Sequence, residues 1–261
     1  MSEELYHPLP DVEAYLARIG IDQAKEPSTA FLDELIHAHQ CHVPFDNLDV
    51  SEKGLTPSLA VVDLFDKIVV RKRGGYCFEL NALFGALLKA LGFDVRPCMA
   101  RVLLRPIPYP LISHRANFVT IEGKTYLADV GFGGPMPTFA PLVEDGATRT
   151  ESGHTFTLHR HGHSWWDVGY TGSKEEERIV LRVCSLHVGE EDFVPLSFFQ
   201  AQNPESVFRL NRMANIKTED GALDLRNNTY TEFHGGEKTV REIEDEAEIE
   251  QLLHEKFGIY L

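Results

Sequence analysis

The sequence predicts an α+β protein that is helical over residues 1–92, β-rich over 93–190 and mixed over 191–261. Three observations predict it. Apolar residues recur three and four apart in the first third, as in Leu80, Leu83, Phe84, Leu87, Leu88 and Leu91. The middle holds valine-rich, alternating runs bounded by turn residues, about 90 residues of strand at the spacing of a small barrel or sandwich. The helical period returns at the end, where Ile249, Leu252, Leu253 and Phe257 share a face. With 261 residues, 43% of them hydrophobic and 25% charged, the chain can bury a large core as one large domain or two to three small ones.

Asp11 to Gly20 reads as a short helix with an acidic start and a glycine stop. Ser28 to His39 is a second, with Phe31, Leu32, Leu35 and Ile36 on one stripe. Pro44 breaks the helical pattern, so Cys41 to Val50 is extended or turned. A third helix runs from Ser58 to Val69, and a fourth begins near Cys77 and stops at Gly92. Phe93 to Leu104 is a strand, and Arg105 to Pro110, with prolines at 106, 108 and 110, is a loop. Ser113 to Ile121 and Lys124 to Val130 are strands joined at Glu122-Gly123. Strands at His154–Arg160, Ser164–Tyr170 and Ile179–Leu186 come next, with an acidic loop at Lys174 to Glu177. Leu196 to Gln202 is helical. Val207–Ile216 and Ala222–Leu225 are strands around a Glu219-Asp220-Gly221 turn, Thr229–Phe233 is a third, and the last helix ends at Gly258.

A formal net charge of −15 argues against a general nucleic-acid binder, because a phosphate backbone requires a basic surface. Arg71, Lys72 and Arg73 form a local basic run, either part of a pocket for a phosphorylated small molecule or a solvated helix end. The acidic start Met1 to Leu5 lacks the apolar core of a signal peptide, and no apolar run reaches membrane-spanning length. Cys41, Cys77, Cys98 and Cys184 are widely separated, which is neither a disulfide framework nor a zinc-finger pattern. Near Cys41, His37 and His42 lack a second cluster to complete tetrahedral zinc, so no metal site is assigned. His159, His161 and His163 sit near a hairpin tip as a solvated edge. A cytoplasmic protein that binds neither nucleic acid nor membrane fits these features.

The stretch with most chemical content is Arg73-Gly74-Gly75-Tyr76-Cys77-Phe78-Glu79-Leu80-Asn81. The glycines permit a sharp bend, and Cys77 falls in the first helical turn, where free N–H groups and the helix dipole favour a thiolate. Cys77 is then either a nucleophile or a buried structural cysteine. A nucleophile needs a base, and the base an orienting group. If Glu122-Gly123 is a two-residue hairpin loop, Ile121 pairs with Lys124 and Asp129 lies opposite Ala116, two residues from His114. His114 and Asp129 are then diagonal neighbours on one face, and a shift of one residue would separate them. The alternative is a strand-end histidine and a turn aspartate.

The run RGGYCFELN, with His114 in SHRANFV and Asp129 in ADVGFGG, resembles the arylamine N-acetyltransferases. Val43 to Leu48 also resembles their proline-phenylalanine-acid-asparagine-leucine segment, with Asp46 where Glu is usual. The similarity is strong from Ala38 to Pro141 and weaker onward through MANIKTEDGALDL. It implies a cysteine-protease-like arrangement, with the nucleophile on a helical bundle, His and Asp on a β-barrel, and an α/β lid. It implies ping-pong acetyl transfer from acetyl-CoA, a substrate and not a permanently bound cofactor, to an arylamine or hydrazine. Cys77 would carry the acetyl group, His114 would shuttle protons and Asp129 would orient it. Phe132 would face the acceptor ring, and Gly131, Gly133 and Gly134 would flank the CoA approach, or else form a tight turn. Phe45 would line the acceptor pocket or pack in the core, and Tyr76 and Phe78 carry the same ambiguity. A cysteine hydrolase or transglutaminase-like enzyme, an amide synthase and a non-enzymatic binding module with a vestigial triad are the alternatives. Natural acceptor, acyl length and oligomeric state are not encoded in these motifs.

Overall fold

The computed structural model describes residues 2–106, 108–172 and 176–260. Among these the helices are α1 (Ser2–Leu5), α2 (Val12–Arg18), α3 (Thr29–His42), α4 (Leu48–Ser51), α5 (Val61–Phe65), α6 (Cys77–Ala90), α7 (Phe193–Gln202), α8 (Val207–Leu210) and α9 (Glu246–Phe257). A π turn, Asp66–Val70, extends α5, and a 3₁₀ turn, Glu190–Asp192, precedes α7. The caps are local and readable. Asp11 accepts from Ala14 N at 2.9 Å, Ser28 from Phe31 N at 3.2 Å, and Gly258 closes α9 at φ 66°.

The strands are β1 (Phe45–Asp46), β2 (Asp94–Val102), β3 (Ile112–Ile121), β4 (Lys124–Ala128), β5 (Thr148–Glu151), β6 (His154–His161), β7 (Trp165–Thr171), β8 (Arg178–Cys184), β9 (Met213–Thr218), β10 (Gly221–Arg226), β11 (Thr229–His234) and β12 (Glu237–Glu242). Seven form an antiparallel sheet in the order β4-β3-β2-β8-β7-β6-β5. Its edges are joined by one stretch of chain. Leu127 N donates to Pro141 O at 2.9 Å and Val143 N to Thr125 O at 2.8 Å, covering the outer edge of β4. The same stretch then bonds β6 through Gly146 N and Leu158 O at 2.8 Å and becomes β5. The sheet therefore curls around its own core of Cys98, Ala116, Phe118, Leu127, Leu158, Val168 and Val180.

The second sheet runs β1-β9-β10-β11-β12. One face, with Ala214, Leu223, Leu225 and Tyr230, packs on Ile249, Leu252 and Leu253 of α9. The largest core gathers Tyr15, Phe31, Leu32, Leu35, Leu64 and Ile68 around Tyr76, Phe78, Leu80, Leu83, Phe84 and Leu87, and takes in Val119 and Ala128 of the first sheet. That core holds α6 against the barrel.

Several expectations change. The second helix runs on to His42 because nothing before Pro44 forbids it, and of Cys41 to Val50 only Phe45–Asp46 is strand while Leu48–Ser51 is a helical turn. The third helix starts at Val61, since Ser58 Oγ caps Ala60 N (3.2 Å) in an extended segment. Val207–Leu210 is helical, its first turn capped by Ser206 Oγ on Phe208 N at 3.2 Å. β5 and β12 are not anticipated: three of the four residues of β5 and all six of β12 are exposed, so neither carries an apolar alternation. Lys174 and Glu175 of the acidic loop, and Ile107 of the proline loop, lie outside the described residues.

Candidate active site

The β3–β4 turn is the two-residue loop that the register argument requires. Glu122 and Gly123 have φ of 49° and 75°, both positive as a type I′ turn demands, and Ile121 pairs with Lys124. The ladder ends at Asn117↔Ala128, which brings Asp129 beside His114. His114 Nε2 lies 2.6 Å from Asp129 Oδ2, both residues being buried. Nδ1 is therefore the nitrogen left for Cys77, whose proximity adds to the pull on the imidazole. Burial opposes a charged imidazole, but Asp129 and Cys77 together outweigh it and raise the His114 pKa above the ordinary histidine value.

Cys77 is the first residue of α6 and is 2% exposed, with its Sγ 3.8 Å from the Ser113 carbonyl. Its turn is fixed from below. Buried Glu79 accepts from Tyr76 N at 3.1 Å, capping the helix start, and its other oxygen meets Lys67 Nζ at 2.7 Å. Lys67 also pairs with Asp49 at 2.7 Å. Burial raises the Glu79 pKa, against the pull of Lys67. Burial alone would lower the Lys67 pKa; the facing Glu79, Asp46 and Asp49 raise it instead. Arg73 belongs to this cluster: it is buried, with Asp49 at 3.5 Å and Asp46 at 3.8 Å, while Arg71 pairs with exposed Asp66 at 2.8 Å. Arg71 and Arg73 nonetheless line one cavity with Lys53 and Lys67, in which Asp49 and Glu79 also stand.

The two glycines before Tyr76 mate with the Val43–Leu48 segment. Phe45 bridges Gly75 in parallel, Asp46 N donates to Gly75 O at 2.9 Å, and a Cβ at Gly74 would stand 2.1 Å from Pro44 O. Phe45 also pairs with Asn215, so β1 lies between the nucleophile loop and the second sheet. Asn47 completes this junction through Nδ2 to Phe208 O (2.8 Å) and Asn211 O (2.7 Å), and through Oδ1 from Met213 N (2.8 Å).

Sequence reasoning gave no role to Asn81, yet it is the residue that ties helix to sheet. Its Nδ2 donates to Asp129 Oδ1 (2.9 Å) and Arg115 O (2.6 Å), and its Oδ1 accepts from Val130 N (3.0 Å). The available signal was spacing, because Asn81 lies one helical turn after Cys77 and so shares its face. Gly131 N adds a second bond to Asp129 Oδ1 at 2.9 Å, and Gln40 Nε2 holds the Asp129 carbonyl at 3.1 Å. The carboxylate is thus fixed by two donors besides Nε2 of His114, Asn81 Nδ2 and Gly131 N, both on Oδ1.

The glycine loop beyond Asp129 packs tightly. A Cβ at Gly131 would meet Cys77 Cα at 2.8 Å, one at Gly133 Asn215 Nδ2 at 3.1 Å and Phe45 Cε1 at 3.3 Å, and one at Gly134 Phe132 Cζ at 2.9 Å. Phe132 is buried with its ring edge-on to His114, centroids 5.5 Å apart. Phe45 packs in the largest core and also presents its ring edge to Gly133. Tyr76 and Phe78 are fully buried core residues, the Tyr76 hydroxyl bonding Ser197 Oγ. All four cysteines are free thiols.

A family model described as N-acetyltransferase matches residues 28–261. The arylamine N-acetyltransferase / N-hydroxyarylamine O-acetyltransferase of Salmonella typhimurium is 34% identical over 257 residues, covering 95% of this chain and 88% of its own. The Mycobacterium marinum arylamine N-acetyltransferase, solved in complex with CoA, superposes with a TM-score of 0.89 at 31% identity over 95% of this chain and 93% of its own. A Bacillus cereus arylamine N-acetyltransferase, described as having a Cys-His-Glu catalytic triad, gives a TM-score of 0.86 at 26% identity over 95% of this chain and 98% of its own. Fold and matches together define an α+β acetyltransferase enzyme. The chain belongs to the arylamine N-acetyltransferase family.

Proposed function

We propose that this enzyme moves an acetyl group from acetyl-CoA to the nitrogen of an arylamine, arylhydrazine or related acceptor, through a thioester on Cys77. The observation that carries the reading is the 2.6 Å contact of His114 with a carboxylate whose other oxygen is held by Asn81 and Gly131, beside the cysteine that opens α6. Because Asp129 raises the His114 pKa, the imidazole is fitted to take and hold the Cys77 proton as the sulfur becomes a nucleophile. The thiolate adds to the thioester carbonyl of acetyl-CoA, the tetrahedral intermediate expels CoA, and His114 gives its proton to the departing sulfur. Neutral His114 then removes a proton from the attacking amine as its nitrogen bonds the acyl carbon. Cys77 leaves as thiolate, with the amine's proton now on His114, and the starting arrangement is restored. One thioester replaces another in the first step, so the enzyme's contribution is positioning and charge stabilisation.

On this reading residues 1–92 carry the nucleophile, 93–190 carry the base and its carboxylate, and 191–261 complete the cleft. Phe132, edge-on to His114, and the ring edge of Phe45 form the acceptor wall. Gly133 and Gly134, with Gly131 below them, leave the backbone open to the CoA arm, in keeping with the CoA complex of the M. marinum relative. The test is intact mass after brief incubation with acetyl-CoA alone. One acetyl adduct on Cys77 that disappears when an arylamine or hydrazine is added supports the reading; an enzyme that turns over without it refutes the covalent step.

A further inference from the structure

The second sheet has two faces: α9 packs on one, and the end of α3 reaches β9 on the other, where Cys41 stands near Lys217. Register assigns the other: Phe45 pairs with Asn215, Asn215 with Asp224 and Asp224 with Thr231, so these four side chains form one row across β1, β9, β10 and β11. Their neighbours along the strands, Ala214, Leu223, Leu225 and Tyr230, point the opposite way into the α9 core. The row starts at the catalytic centre. Phe132 stands against His114, Gly133 is next in the chain, and a Cβ at Gly133 would lie 3.1 Å from Asn215 Nδ2. At roughly 5 Å per strand, Asp224 is one step beyond Asn215 and Thr231 two, within reach of a substituent on a ring seated at Phe132.

The three polar members of the row are satisfied by nothing in the protein. Asn215 and Asp224 are half-buried and Thr231 is 8% exposed, yet among the described residues none of the three side chains makes a hydrogen bond. Their polar atoms are reached by solvent, and a row of amide, carboxylate and hydroxyl left open beside a substrate cleft is suited to a ligand. Burial raises the Asp224 pKa, and Arg226 and Lys238, on the same face, lower it without either forming an ion pair with it within contact distance. An ionised carboxylate accepts hydrogen bonds only, so the group that it selects must be a donor.

We propose that Asn215, Asp224 and Thr231 form a specificity strip that reads the end of the acceptor distal to its reacting nitrogen, favouring acceptors with a hydrogen-bond donor there, above all a protonated amine, over those with a carboxylate. This rests on the acceptor ring lying at Phe132. The probes are 4-(aminomethyl)aniline and 4-aminobenzoate, compared by kcat/KM with saturating acetyl-CoA, together with the rate of Cys77 acetylation without acceptor. The parent enzyme favours the aminomethyl compound, and Asp224→Asn shrinks that preference at least tenfold, the size of one lost charge-assisted hydrogen bond. Thr231→Val, which keeps shape and removes the hydroxyl, shrinks it less. The loss falls on the acceptor half-reaction. Equal preference in the parent, an unchanged ratio in both variants, or a loss confined to acetylation by acetyl-CoA would each overturn the strip. A parent enzyme that forms no acetyl adduct would instead overturn the thioester reading beneath it.

Discussion

Asn81 shows how much of this site is held by one neutral side chain. It bonds the Asp129 carboxylate, the Val130 amide and the Arg115 carbonyl, and so couples the nucleophile's helix to the base's strand. Asn81→Ala leaves the Arg115 carbonyl without its side-chain donor and frees the carboxylate to rotate. We expect kcat to fall roughly 10- to 100-fold, with a smaller change in the KM for acetyl-CoA, in steady-state kinetics on a variant whose circular dichroism matches the parent. Asp129→Asn goes further. It removes the charge that raises the His114 pKa, so the imidazole becomes neutral at lower pH and holds the Cys77 proton less well. Iodoacetamide alkylation of Cys77, followed across pH, should become slower at neutral pH in that variant. An unchanged alkylation profile would remove Asp129 from the proton chemistry.

At the scale of elements, the start of α6 is set by its neighbours more than by its own propensity. Gly74 and Gly75 are required because β1 runs against them: a methyl group at Gly74 would sit inside the Pro44 carbonyl. Gly74→Ala should therefore cost about 1–3 kcal/mol in urea unfolding, the usual penalty of overpacking, and should depress activity as well. The same change at Gly123, whose Cβ would meet nothing within 4 Å, tests only the positive φ of 75° and should be milder. The sequence signalled these glycines as a bend, and it signalled the hairpin register that unites His114 with Asp129, because both depend on local backbone chemistry. It did not signal β5 or β12, whose exposed polar residues carry no periodicity, nor the helical turn at Val207, where a serine cap overrides residues of strand-like composition. Asn47 was legible as part of a motif, but its bonds to Phe208, Asn211 and Met213 span more than 160 positions and no local pattern encodes them.

At the scale of the whole molecule, three cores meet around the site, and the largest contains a group that should govern acid stability. His39 on α3 is 0% exposed, lies between Tyr15 and Phe84 with centroids at 6.0 and 5.4 Å, and neither ring nitrogen has a hydrogen-bond partner. Burial, with the nearby positive charges of Arg18 and His42, lowers its pKa to about 3. An unfolded histidine titrates near 6.5, so between about pH 6.5 and 3 the unfolded chain binds a proton that the folded chain refuses. The contribution of His39 is therefore fully present above 6.5 and is lost as pH falls, by about 1.4 kcal/mol per pH unit. His114 has the opposite sign: its folded pKa is raised, so its contribution is fully present below about 6.5 and is lost as pH rises from there to the folded value of about 10. Replacing His39 by leucine removes the acid-side term and leaves the rest. Urea unfolding of parent and His39→Leu should accordingly give stability curves whose difference is flat from pH 7 to 8. Below 6.5 the variant should gain steadily, by about 2 kcal/mol at pH 5. A difference with no pH dependence would mean that folded His39 takes up its proton as readily as the unfolded chain does, and that α3 opens to water more easily than its packing implies.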